Sequence, residues 1–441
     1  VIPVDDLRSL GMAIRSGRLS PVEHVDDVVR RLAGDSHNAV VALDAERARA
    51  EAAALTEELT QGRWRGPLHG IALGVKDLID VAGMPTRCGS AVLADAPPAA
   101  ADAPAVARLR AAGAVVVAKL HTHEFAYGPT GDVAATGPAR NPHDPTRITG
   151  GSSSGPAAAV AAGLVPLALG TDTGASIRTP AALCGVVGLK PAYGHVPAGG
   201  VFPLAETLDT VGLLAGDTHS LAVAWDVLDR AEGTGGGIQP PGVAGVRVGV
   251  PMDDYWRPAD PVIADAVAAA VGALEKGGAR VVELRTPMID ELAATYPVIV
   301  GAEAYATHAA WFAERPGDYQ PATRARLEAV AGLSARQYVD ALRTRRRLVP
   351  ALRAAVDGVD VLVLPSTRLR ATPIGAETAD GEPVRPAMLA LTSPFNLTGW
   401  PAVSVPGAVD GLPAGVQVAG VTLEERGVLR VAAAIERSPC A

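Results

Sequence analysis

Short runs of β-branched residues alternate along this chain with longer segments of helical spacing. Ala114-Val-Val-Val-Ala118, Val246-Arg-Val-Gly-Val250, Arg280-Val-Val-Glu-Leu284 and Asp360-Val-Leu-Val-Leu364 read as strands. Ala402-Val-Ser-Val405 and Gly415-Val-Gln-Val-Ala419 read as a hairpin pair around Asp410-Gly411. Ser20-Pro-Val-Glu23 has the form of a capping box, with Pro at the first helical position, and opens a helix to about Leu32. Leu43 to Leu59 and Pro261 to Lys276 carry helical spacing, and about 290–355 is mostly helical and cap-like. Alternation of this kind makes the class α/β. The stretch from Gly233 to Gly242 is the clearest linker and reads either as a domain divider or as a long surface loop.

A chain of 441 residues that is 48% hydrophobic and 20% charged buries a sizeable core and is not disordered. Its net charge of −8, with no basic block, speaks against a nucleic-acid groove. Cys88, Cys184 and Cys440 are odd in number and far apart, which suggests neither a disulfide framework nor a zinc site and fits a reducing compartment. Val1 to Ser20 holds five charges and no apolar signal core. The uncharged stretch Ile148–Thr171 is broken by Gly150, Gly151, Pro156 and Pro166 and is filled with Ala and Ser, so it is not a membrane span. A cytoplasmic protein without membrane contact is expected.

Lysine is rare: Lys76, Lys119, Lys190 and Lys276 are the only four among 39 basic residues. Arginine serves wherever a surface cation suffices, so each lysine raises the question of a job arginine cannot do. Unlike arginine, a buried lysine can give up its proton. Lys276 lies at a helix end and reads as a surface cation. Lys76, in the apolar run Gly70-Ile-Ala-Leu-Gly-Val-Lys-Asp77, is expected to be desolvated. Its plainer reading is a strand-end lysine paired to Asp77 or Asp80.

Two turns are rich in serine. In Gly150-Gly-Ser-Ser-Ser-Gly-Pro156, followed by Ala157 to Ala162, Gly and Ser form a tight turn and Ala propagates a helix, with Pro156 suited to its first position. Gly170-Thr-Asp-Thr-Gly-Ala-Ser-Ile-Arg178 follows the apolar run Leu164–Leu169. Small residues before Ser176 let a substrate approach the backbone, and N–H groups from Thr173 to Ser176 can converge on one oxygen. The plain alternative is a strand-to-helix turn capped by Ser176.

GGSSSGPAAAVAAG (Gly150–Gly163), LGTDTGASIRTPAALCGVVGLKP (Leu169–Pro191) and GIALGVKD (Gly70–Asp77) together resemble the amidase signature family of serine amidohydrolases. Glu124-Phe125, GPARNP at Gly137–Pro142, and NLTGWPAVSVP and GLPAGVQ within Pro394–Gln417 support the resemblance, which runs from about residue 7 to 430. It implies the amidase signature fold, a central mixed β-sheet covered by α-helices on both faces. One domain over 1–441 is expected, with its signature core at about 70–220. Where the family usually has GGSSGGS and DTGGS, this chain has GGSSSGP and DTGAS. Neither departure removes a reacting group, but the methyl of Ala175 has to be tolerated at the turn.

The resemblance further implies a Ser–cis-Ser–Lys triad of Ser176, Ser152 and Lys76, acting on an amide or carbamate without a cofactor. Ser176 is the implied nucleophile. Ser152 relays its proton to a neutral Lys76, and the N–H groups of Thr173, Gly174, Ala175 and Ser176 form the oxyanion hole. Ser153 is expected to support the site, and Asp172 and Arg178 to brace the loop. Tyr127, Gly128, Thr130 and Ser153 are the expected substrate-binding residues. Further wall candidates are the stretch from His195 to Phe202, Tyr296, Tyr305, Trp311, Phe312 and Trp400. A small neutral amide, anilide or carbamate is expected, since no concentrated charge lines these segments. A homodimer is implied by the resemblance alone.

Three other readings compete. Gly151-Ser-Ser-Ser-Gly155 also fits G-x-S-x-G, with Ser153 as nucleophile and His195, His219 or His308 as base, but Asn141–Arg147 before it is a poor strand. His121-Thr-His123-Glu124 after a strand suits a metal, yet no further ligand spacing accompanies it. The A subunit of a tRNA-dependent amidotransferase looks similar, but usually carries Gln where this chain has Thr179. Cys88 and Cys184 read as inert core rather than nucleophiles.

Overall fold

The computed structural model describes residues 6–229 and 242–436. Its strands are β1 (Val40–Leu43), β2 (Ala72–Lys76), β3 (Val115–Leu120), β4 (Leu167–Asp172), β5 (Val187–Lys190), β6 (Thr210–Ala215), β7 (Arg247–Pro251), β8 (Arg280–Leu284), β9 (Val361–Pro365), β10 (Thr378–Ala379), β11 (Glu382–Pro383), β12 (Ala402–Pro406) and β13 (Gly415–Gly420). Eleven of them form one sheet in the order β1-β3-β2-β4-β6-β5-β12-β13-β9-β7-β8, and β10 pairs with β11 alone. The sheet is mixed. β2 runs parallel to β3 and β4, whereas β4–β6, β6–β5, β5–β12 and β12–β13 are antiparallel.

Both faces of this sheet are covered. Leu73 and Val75 of β2 and Leu167 and Leu169 of β4 join one apolar cluster with the helices Pro104–Ala111, Thr218–Leu228 and Glu425–Glu436. Alternate residues Ala72 and Ala168 join another, with the helices Pro21–Ala33, Ala45–Thr60, Ser154–Ala161 and Arg178–Cys184. A strand with no wet face reads as a continuous apolar run, which is why these segments stand out in the sequence. Helices Ile289–Ala293, Thr295–Glu314, Pro321–Val330 and Ala335–Ala355 pack over Phe125, Tyr127 and Phe395 in a third cluster. No helix among the described residues is long and apolar enough to cross a membrane.

Most of the expected elements occupy their expected places, with local shifts. The capping box forms: Ser20 Oγ accepts from Glu23 N and the Glu23 carboxylate accepts from Ser20 N. Leu43 ends a strand rather than starting a helix, because Asp44 caps the helix from Ala45. Pro156 is third, not first, in the helix Ser154–Ala161. It is tolerated there because first-turn N–H groups have no intrahelical acceptor. The Gly-rich stretch 233–242 lies, but for its last residue, outside the described residues, as does Cys440.

One buried ion pair fixes the end of β4. Arg178 is fully buried and grips Asp172 through Nη2–Oδ1 (2.8 Å) and Nε–Oδ2 (3.0 Å). Its remaining donors reach Thr392 O, Gln417 Oε1 and Asn396 Oδ1 at 2.6–2.8 Å. Asn396 Nδ2 returns to Asp172 at 2.9 Å, and Ile177 N donates to Asp172 Oδ2 at 3.0 Å. Burial alone would raise the Asp172 carboxyl, but the Arg178 charge overrides it and holds the group at about 2. Removing one partner strands the other charge in the core, so Arg178→Met is expected to cost about 3–5 kcal/mol of stability. Urea unfolding measures this, and a wild-type midpoint would show that the pair does not hold the turn.

Candidate active site

Lys76 closes β2 and is fully buried. Its Nζ lies 2.7 Å from Ser152 Oγ and 2.7 Å from Thr171 Oγ1. The plainer reading of a lysine paired to Asp77 or Asp80 does not hold. Asp77 pairs with Lys119 at 3.1 Å, and Asp80 accepts from Thr86. No carboxylate contacts Lys76 among the described residues. Burial pulls its ammonium down to about 7, against the more distant charges of Asp172 and Asp209. At neutral pH a large fraction of the amine is therefore uncharged.

Ser152 and Ser153 sit on the turn before the helix Ser154–Ala161, and the Gly151–Ser152 peptide is cis. Both serines are fully buried. A Cβ on Gly151 would stand 2.7 Å from Gly131 N, so the close approach of these two loops requires glycine. Ser153 N donates to Ser176 O at 3.0 Å, which ties the two serine turns together. Its hydroxyl donates to Thr171 O and accepts from Thr171 N, so it braces the end of β4 rather than facing the cleft.

Ser176 follows the turn that the Arg178–Asp172 pair holds. The backbone N–H groups of Thr173, Gly174, Ala175 and Ser176 have no acceptor among the described residues, although all four residues are buried. Four consecutive buried donors without partners are rare in a folded chain. Gly174 has no room for a side chain: a Cβ there would lie 2.0 Å from Tyr296 Oη. Ala175 is not among the residues with positive φ, so its methyl brings no backbone strain. Thr173 Oγ1 donates to Asp209 Oδ1 at 2.6 Å, and burial raises the Asp209 carboxyl to about 6 against its hydrogen bonds. No hydrogen bond joins the Ser152 and Ser176 hydroxyls among the described residues.

Ser176 lines a narrow cleft together with the expected Tyr127, Gly128 and Tyr296. Thr130 is buried but does not line it. Phe202, Trp311 and Phe312 pack instead in a ring cluster around His308 and Tyr319, and Trp400 packs near Phe395. His195 lies between Glu425 and Asp229 at 3.0 and 2.6 Å, away from the cleft. Pro129, within the expected stretch Tyr127–Thr130, lines the cleft too, and residues that sequence reasoning missed complete the walls: Ala126, Leu204, Val300, Leu389 and Arg385. Arg385 brings a charge where none was expected. Thr171, the second partner of Lys76, was also missed, and only its place four residues after Leu167 in a buried strand hinted at it.

The histidines of the competing metal reading are otherwise engaged. His121 meets Ser154 Oγ at 2.7 Å and Gly137 O at 2.9 Å, and His123 accepts from Gly131 N. Burial lowers both, His121 to about 4. Glu124 accepts from Ser90 Oγ and Gln320 N. Burial raises the thiols of Cys88 and Cys184, which keeps them protonated and unreactive.

A family model described as Amidase matches residues 23–429. AtzE, the 1-carboxybiuret hydrolase subunit of Pseudomonas sp. (strain ADP), is 38% identical over 95% of this chain and 98% of its own. The A subunit of the glutamyl-tRNA(Gln) amidotransferase of Symbiobacterium thermophilum is 37% identical over 96% and 94%. Among solved structures, a crystal structure of an amidase superposes with a TM-score of 0.90 at 39% identity, covering 98% of this chain and 99% of that one. A bacterial aryl acylamidase of the amidase signature family superposes at 0.86 and 26% identity, covering 99% and 97%. With the family model spanning most of its length and relatives this similar end to end, the chain belongs to the amidase signature family and is a hydrolase of C–N bonds.

Proposed function

We propose that the chain cleaves a small amide, anilide or carbamate through an acyl-enzyme on Ser176. The observation that carries this reading is a buried, unpaired Lys76 amine 2.7 Å from the Ser152 hydroxyl. Neutral serine attacks an amide carbonyl poorly, so a base has to take its proton as the new bond forms. Ser176 gives its proton to Ser152, and Ser152 gives its own to Lys76. The oxyanion then faces the unpaired N–H groups of residues 173–176, fixed donors whose orientation costs nothing at the moment of reaction. Collapse of the intermediate returns the proton by the same path to the leaving nitrogen. Water repeats the sequence on the acyl-enzyme. The Ser176–Ser152 hydrogen bond has to close as substrate enters, as catalytic contacts often do.

Similarity to the A subunits of amidotransferases favours a second reading, in which the same chemistry releases ammonia inside a complex. Copurification with a partner protein, and glutaminase activity only in its presence, would support it. Cytoplasmic location and a homodimer belong to the proposal as well. The free, buried Cys88 and Cys184 fit the first, and sedimentation tests the second.

Ser176→Ala is expected to reduce turnover by at least about 10⁴-fold. Lys76→Arg keeps the charge but cannot accept a proton, and is expected to lose about 10³–10⁴-fold in kcat. Full activity of purified Lys76→Arg would remove the relay. The pH profile follows from the sign of the shift. The working form is the neutral amine, which predominates above about 7. So kcat/KM is expected to rise with unit slope below that pH and level off above it. A profile flat from pH 5 to 9 would show that another group is the base.

A further inference from the structure

The cleft beside Ser176 is largely apolar, walled by Leu204, Val300, Leu389 and the rings of Tyr127 and Tyr296. Among the described residues, one charged side chain lines it and no carboxylate does. That side chain is Arg385, which with Leu389 forms one face, a turn apart, of the short helix Val384–Leu389. Arg385 is half-buried, its Nε is buried without an acceptor, and its guanidinium has no hydrogen bond or ion pair among the described residues.

Two other arginines show that this state is not forced by the fold. Arg178 is deeper, yet its donors are met by Asp172, Thr392, Asn396 and Gln417. Arg326, near the cleft, donates to Tyr127 O and lies 3.1 Å from His123 Nε2. Burial, and then positive charge that includes that of Arg385, holds His123 and Arg326 below their usual ranges, while Asp132 and Glu124 pull Arg326 partly back up. The corner of the cleft is therefore electropositive, and the Nη groups of Arg385 stay open to solvent or to a ligand. A buried Nε without an acceptor costs free energy that a ligand can relieve, and the planar fork of a guanidinium suits a carboxylate best.

We propose that the substrate is a small amide bearing a carboxylate, which pairs with Arg385 while the amide carbonyl meets Ser176. This deepens the amide-hydrolase reading above and rests on it. It also replaces the expectation of a neutral substrate, which came from segments that did not include Arg385. Pairing at Arg385 orients the chain of the substrate and fills the donors of the cleft wall. It takes no part in breaking the bond, so Arg385 is a specificity-determining residue.

The test compares malonamate, succinamate and glutaramate with unbranched neutral amides of matching length. Binding is measured by calorimetry on Ser176→Ala, with and without Arg385→Met, and kcat/KM is measured with Ser176 intact. At least one of the acids is expected to bind Ser176→Ala more tightly than its neutral counterpart. Arg385→Met is expected to lower the acid-over-neutral ratio, in binding and in kcat/KM, by roughly 10- to 100-fold. Equal binding of acid and neutral amide, or equal loss of both in Arg385→Met, overturns the proposal. The melting temperature of Arg385→Met separates such a loss from misfolding. An acid held through Arg385 but never cleaved supports the carboxylate site and sinks the hydrolase reading. Cleavage confined to neutral amides does the reverse.

Discussion

Lys76 is surrounded by carboxylates that already have partners. Asp77, next to it in the chain, is paired with Lys119, and Asp172, at the end of the neighbouring strand, is paired with Arg178. What remains in contact with its nitrogen is two hydroxyls. A carboxylate at about 4 Å attracts an ammonium by about 4 kcal/mol at an effective dielectric near 20. That equals about three pKa units, enough to undo the shift that burial produces. The two ion pairs therefore do more than hold the core. They keep two negative charges from fixing the proton that the proposed chemistry has to move.

Burial alone does not mark the proposed base. Lys190 is equally buried and burial likewise brings it to about 7, yet its nitrogen donates to Pro191 O and meets no serine. Lys119 is buried and paired. Scarcity of lysine in the sequence thus raises the right question at three positions, and only the geometry at Lys76 answers it with a serine hydroxyl. The two serine turns are legible because glycine, serine and proline leave a local signature. Lys76 and the Ser176 turn are brought together by neighbouring strands, since β2 and β4 pair directly.

The cleft walls are not legible in the same way. Ser176, Tyr296 and Arg385 come from three distant stretches, and nothing local at Glu382-Pro-Val-Arg-Pro386 distinguishes a cleft arginine from the many that serve the surface. The aromatics expected in the walls went mostly to the packing around His308, because large rings gain more from burial than a small cleft can use. Asn396 and Gln417, which complete the Arg178 network, carry no sequence sign of their task either.

The order in which that network is assembled has a consequence for synthesis. Asp172 and Arg178 leave the ribosome early, but Thr392, Asn396 and Gln417 follow more than two hundred residues later. Until they arrive, the guanidinium lacks half its acceptors, and β5 lacks β12, its antiparallel neighbour. A nascent chain thus carries the proposed nucleophile on an unfinished turn. The proposed relay is therefore complete only near the end of translation, once the walls around Ser176 are in place.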